Sequence, residues 1–172
     1  MASMILSGDT SGAITLSAPA VAGTNTITLP AAAGSVMVSG NMPAFSAGQT
    51  TPQSLTAGTR TKILFQTEEF DTNNNFASSV FTPTVAGYYQ INARVRISST
   101  LTNLEIYVYK NGVLYKEGTS SDSTAVGGVV STLLYCNGST DYIEIYGRFS
   151  NTQNTSGTSP EVYFNGSMVR AA

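Results

Sequence analysis

The chain has no histidine, no tryptophan and a single cysteine in 172 residues. Without histidine it lacks the commonest general base and the commonest metal ligand. One thiol, Cys136, permits no internal disulfide. With no histidine to activate it, Cys136 reads as a small buried hydrophobe. Charge is also scarce: Asp, Glu, Lys and Arg make up 10% of the residues, well below the quarter or so typical of globular domains. The formal net charge of -2 offers no electrostatic case for nucleic acid or an anionic membrane. No window approaches the ~18 consecutive apolar residues of a membrane-spanning helix. Met1 to Asp9 has no basic stretch and only a very short apolar run, so it does not read as a secretory leader. No helical periodicity of useful length appears anywhere. No phosphate-cradling glycine loop and no supported acid pair is visible. The expectation is a non-enzymatic protein without cofactor or metal.

What fills the space is Ser, Thr, Asn and Gly around a hydrophobic fraction of 41%, a composition suited to strands and turns. From Gly87 a two-residue alternation begins. Tyr89, Ile91, Ala93, Val95 and Ile97 share one face, and Tyr88, Gln90, Asn92, Arg94 and Arg96 the other. That pattern describes a long strand with one dry and one polar side. Strand signals recur at Thr61–Thr67, Gly87–Ser98, Asn103–Lys110, Val113–Gly118, Val126–Cys136, Tyr142–Phe149 and Glu161–Arg170. Their spacing of roughly ten residues is that of a β-sandwich. Lys110-Asn111-Gly112 is a hairpin signal, because Asn-Gly accepts positive φ at both turn positions. Thr152–Pro160 reads as a polar loop.

Charge divides the chain. Residues 1–59 hold one charged side chain, Asp9. Three β-like runs lie there, Ala13–Leu16, Thr26–Leu29 and Ser35–Val38, separated by turn material that includes Pro30 to Gly34. Such a segment alone buries too little apolar surface to be stable. We therefore read residues 1–42 as a segment that orders against sister chains or a docking partner, and residues 43–172 as the globular head.

The run Val126–Cys136 is apolar on both faces. Val129, Ser131, Leu133 and Tyr135 alternate with Val130, Thr132, Leu134 and Cys136. An outer strand of a monomeric sandwich should carry one polar face. The expectation is that Val130 and Leu134 are covered by neighbouring copies, the alternative being cover from the chain's own N-terminal segment.

Asp71-x-Asn73-x-Asn75 opens like a calcium loop, but Phe76 stands where the turn glycine belongs and no Glu closes the span. It reads as an Asx-rich loop, and Glu68-Glu69 with Asp71 as solvated surface. Asn137, Asn154 and Asn165 head Asn-x-Ser motifs that we read as turn chemistry.

From Pro43 to Ala172 the chain resembles the globular head of complement's first component and its tumour-necrosis-factor relatives. Ala44-Phe45-Ser46-Ala47 and Lys62-Ile63-Leu64-Phe65 resemble that family's first strands. Phe81-Thr82-Pro83-Thr84-Val85-Ala86-Gly87-Tyr88-Tyr89-Gln90-Ile91 resembles its signature, and Phe164-Asn165-Gly166-Ser167-Met168 its closing strand. The resemblance implies an all-β, C1q/TNF-like jelly-roll β-sandwich that assembles as a compact homotrimer. Aromatics usual in the family at the position of Ser167 and near Asn92 are missing. Candidate trimer-interface residues are Val130, Thr132, Leu134, Cys136, Gln90, Asn92 and Ser167. Tyr107, Tyr109, Tyr142 and Tyr146 are candidates for surface contact with a host glycan or protein, against ordinary sheet cover. Gly12 to Pro30 resembles a segment of phage tail and virion-fibre proteins. Together these imply a virion appendage, made in the host cytoplasm, docked through residues 1–42 to other virion proteins.

Overall fold

A computed structural model describes residues 3–28, 31, 34, 36–101, 103–121 and 125–172. It falls into two compact units, Met1–Gly34 and Ser35–Ala172.

In the first unit, β1 (Ser3–Ser7) and β2 (Ala13–Ser17) form an antiparallel hairpin. Met4 pairs with Leu16 and Leu6 with Ile14, which puts four large apolar side chains on one face. All four are 51–66% exposed. The expected run at Thr26–Leu29 is not a strand over its described residues, and Leu29 lies outside them, as do Pro30 and Ser35. Val36 to Val38 is likewise not a strand.

The second unit is a sandwich built from β3 (Ala44–Gly48), β4 (Ser54–Leu55), β5 (Thr61–Lys62), β6 (Thr67–Asp71), β7 (Phe76–Ala77), β8 (Val80–Phe81), β9 (Gly87–Leu101), β10 (Leu104–Lys110), β11 (Val113–Ser121), β12 (Ala125–Cys136), β13 (Ile143–Phe149), β14 (Gln153–Asn154) and β15 (Tyr163–Ala171). One sheet runs β12-β9-β15-β3-β6. The other runs β11-β10-β13-β8-β7, with β5 beside β13. The pairings within these sheets are antiparallel. This is the expected all-β jelly roll.

The alternation read along β9 is the wall of the core. Tyr89, Ile91, Ala93, Val95 and Ile97 are all buried, facing Leu104, Ile106, Val108, Ile143, Ile145 and Phe149 of the opposite sheet. At one end Phe45 stacks on Phe81 at 4.3 Å and meets Phe164 edge-on at 4.8 Å. Asn111 and Gly112 both have positive φ, 55° and 74°, as the Asn-Gly hairpin requires.

The single strand expected at Thr61–Thr67 is broken in two. Between β5 and β6, Ile63 and Phe65 drop into the core, and side chains replace the sheet ladder. Leu64 N donates to Gln53 Oε1 at 2.9 Å, Leu64 O accepts from Gln49 Nε2 at 2.9 Å, and Phe65 N donates to Ser79 Oγ at 2.8 Å. Buried backbone groups need partners of this kind once they leave a ladder. The loop expected at Thr152–Pro160 contains the short strand β14.

Candidate functional site

The outer face of the β12-β9-β15-β3-β6 sheet is the candidate site. Strand alternation places Val129, Leu133 and Tyr135 of β12 and Tyr88 of β9 there, each 40–53% exposed. Their neighbours along the strands, Val130, Leu134, Cys136 and Tyr89, are buried beneath them. An apolar patch of this kind on a sheet otherwise rich in polar side chains makes this face the candidate interaction surface.

Three of the predicted interface residues lie on this face and are brought together. Gln90 Nε2 donates to Ser131 Oγ at 2.9 Å, Ser131 Oγ donates to Asn92 Oδ1 at 2.8 Å, and Asn92 Nδ2 donates to Asn165 Oδ1 at 3.2 Å. Ser167 stands opposite Gln90 across the ladder and is exposed. The result is an amide and hydroxyl belt across the middle of the face, with Val129 and Leu133 beside it. A cleft of about 330 Å3 opens between Asn92, Val129, Ser131, Tyr163 and Asn165. A second, of about 440 Å3, is bordered by Arg94, Thr119, Val126 and again Val129 and Tyr163.

The other predicted interface residues require a correction. Val130, Leu134 and Cys136 are 2%, 1% and 0% exposed within a single chain and belong to its own core. Thr132 shares their parity, paired with Ile91, and is half-buried. Neighbouring copies are not what covers Val130 and Leu134. The sandwich covers them itself, because β12 pairs with β9 in the register that sets Val130 opposite Ala93 and Leu134 opposite Tyr89. The alternative cover, the chain's N-terminal segment, is not needed either. Burial pushes the Cys136 thiol up to about 12, so it stays protonated and inert at neutral pH. The apolar residues that do face outward, Val129, Leu133 and Tyr135, belong to the other parity. Cys136 itself carried the signal. Cysteine is among the most buried residue types, and it shares its parity with Val130 and Leu134.

The tyrosine candidates lie on the outer face of the other sheet. Tyr107 is 1% exposed, capped by the Arg60 guanidinium 4.6 Å above its ring and hydrogen-bonded to Glu105. It is sheet cover, not a contact side chain. Tyr109 and Tyr146 stack at 4.1 Å and, like Tyr142, are half-buried. Ion pairs surround them: Lys62 with Glu144 at 2.9 Å and Arg148 with Glu105 at 3.0 Å. Burial pushes the Glu105 carboxyl up, but hydrogen bonds from Tyr107 and Arg148 outweigh it and leave it below the usual carboxylate range.

The Asx-rich loop spends its groups on itself. Asp71 accepts from Asn73 N at 3.3 Å and Phe76 N at 2.7 Å, and the Asn75 side chain bonds Thr84 and Asn73. Asn137 Oδ1 accepts from Ser139 N, Thr140 N and Asp141 N, an Asx turn. Among the described residues no group of three or more His, Cys, Asp or Glu could hold a metal ion. No helix among them is long and apolar enough to cross a membrane.

No protein-family model matches this chain, and no curated protein does. Solved structures are similar to it. Murine APRIL has a TM-score of 0.60 at 9% identity, covering 74% of this chain and 99% of that one. The globular domain of zebrafish complement 1qA gives 0.53 at 18%, covering 76% and 99%. The PRD1 vertex protein P5 gives 0.51 at 17%, covering 74% and 71%. At these identities the likeness establishes the fold: the head is a jelly roll of the C1q/TNF kind.

Proposed function

We propose that the chain is a structural virion protein that assembles as a homotrimeric appendage, a tail fibre, spike tip or head fibre. Residues 1–42 dock to other virion proteins, and the head contributes to adhesion at the host surface. The observation that carries this reading is the outer face of the β12-β9-β15-β3-β6 sheet, where Val129 and Leu133 stand half-exposed beside a polar belt. A surface of this composition gains from meeting another copy. The β1–β2 hairpin supports the docking role, since an isolated two-stranded sheet with an apolar face is marginal in water. The C1q/TNF-like fold and the likeness to a phage vertex protein support a trimeric particle component.

Native mass measurement of the full chain tests the assembly. Three chains per particle are expected, and a monomer at micromolar concentration overturns it. The second reading is a capsid or tail decoration protein that stabilises the particle without binding a receptor. The likeness to the PRD1 vertex protein P5 and the internally engaged Tyr107 favour it. Labelled full-length protein added to host cells separates the two: binding supports adhesion, and its failure supports decoration.

A further inference from the structure

The ladders align the outer face in rows. Ser131, Asn92, Asn165, Ser46 and Phe70 form one row, and Val129, Arg94, Tyr163, Gly48 and Thr67 the next. At the β6 edge the bulged residue Glu69 lies between these rows. Its carboxylate accepts from Ser46 Oγ at 2.7 Å and Ser159 Oγ at 3.0 Å, which holds it on the outer face. No cation pairs with it among the described residues, and Phe70 beside it is 51% exposed. Toward the β12 edge the reverse holds. The ion pairs of the described residues engage Lys62, Arg96, Lys110 and Arg148. Arg94 is half-buried on the cleft wall and has no carboxylate partner among those residues. One edge of the sheet therefore carries an acid with no cation partner among the described residues, beside an exposed aromatic. The other side carries a cation with no carboxylate partner among them, beside an apolar patch.

A cyclic assembly of three copies is heterologous: one patch of each copy must meet a different patch of the next. Rotation about an axis running along the strands keeps each row at its own height. We propose that the copies join head-to-tail, with Glu69 of one pairing with Arg94 of the next, and Phe70 covering Val129 and the cleft floor at Asn92. This deepens the proposed homotrimer and rests on it. The occupant of the cleft is then the β6 edge of a second copy. Desolvated charge pairs of this kind set orientation and partner choice across an interface.

The test is charge reversal in the full chain, read by native mass and by concentration-dependent dissociation. Arg94→Glu and Glu69→Arg are each expected to weaken association about tenfold or more, and the double reversal to restore most of it. Phe70→Asp should weaken it with no rescue by either. Circular dichroism confirms that each variant stays folded. A second measurement covers the case in which residues 1–42 hold the copies together. The variant Arg94→Lys is treated with a carbodiimide, which joins an amine directly to a carboxylate. A peptide linking position 94 of one copy to Glu69 of another supports the proposal. If the wild-type chain is trimeric but the reversals have no effect, or the double variant is no better than the singles and no such linked peptide forms, the pairing is wrong and the trimer stands. A monomeric wild-type chain overturns the homotrimer itself.

Discussion

The two outer faces of the sandwich solve the same problem differently. On the β10–β13 side the large side chains are covered within the chain: Arg60 lies over Tyr107, Tyr109 stacks on Tyr146, and Lys62 and Arg148 pair with Glu144 and Glu105. On the β12–β9 side Val129 and Leu133 have no such cover among the described residues and stay half-exposed, while Tyr135 packs on Tyr88 at 5.5 Å and lies 5.8 Å beneath Lys110 Nζ. The chain has only eight Lys and Arg residues, and three of them, Arg60, Lys62 and Arg148, finish the first face. Where charge is so sparse, a face left apolar reads as a surface awaiting a partner.

The sharpest way to break this contrast runs through adjacent residues of β12. Leu134→Ala removes a side chain that is 1% exposed, and should destabilise the head by about 2–5 kcal/mol in a thermal melt. Leu133→Asp combined with Val129→Asp should leave the fold within about 1 kcal/mol of wild type while reducing the proposed trimer to monomers. If the two variants exchange these phenotypes, the assignment of inner and outer parity is wrong.

That parity was the part of the site the sequence left open. Along β9 one parity is Tyr, Ile, Ala, Val, Ile and the other Tyr, Gln, Asn, Arg, Arg, so only one side could face a core. Along β12 both parities are apolar, and which one turns inward depends on its register with β9, a non-local pairing for which Cys136 is the one local signal. The Asn111-Gly112 turn was legible because its residue types are demanded by positive φ. The split at Ile63 to Gln66 was not, because Gln49, Gln53 and Ser79 replace the ladder from elsewhere in the chain. Strands β4, β7 and β8, each two residues long, carry no periodicity to read. Glu69 was legible only as part of an acidic cluster, since its place on the outer face comes from a bulge.

Acid should act first on the carboxylates held by hydrogen bonds and a cation. Burial pushes Asp141 up, but hydrogen bonds from Asn111, Lys110 and Asn137 outweigh it, so its folded value lies below the ordinary carboxylate. Glu105 is shifted the same way. A depressed folded value contributes stability that is fully present above the unfolded carboxylate range, near pH ~4, and is lost as pH falls through the folded value. Melting temperature should therefore hold down to about pH 4.5 and drop below it. Asp141→Asn should flatten part of that drop, at a loss of about 1.5–3 kcal/mol near neutral pH from the bonds to the charged carboxylate. A melting temperature independent of pH between ~4.5 and ~2 would show that these carboxylates are not held as described.

The smallest effect probes whether the finished face has a second use. Tyr109 and Tyr146 stack at 4.1 Å with their planes 27° apart, and a double-mutant cycle with leucine at each position should return a coupling of about 0.5–1.5 kcal/mol. The native mass of the proposed trimer should be unchanged in both variants, because the pair lies on the opposite sheet from Val129 and Leu133. If host-cell binding also survives both substitutions, these rings are cover for the sheet, as Tyr107 is. If binding falls while stability changes only by the stacking increment, the same rings also contact the host. The two outer faces then divide the labour: one joins the copies, and the other presents them.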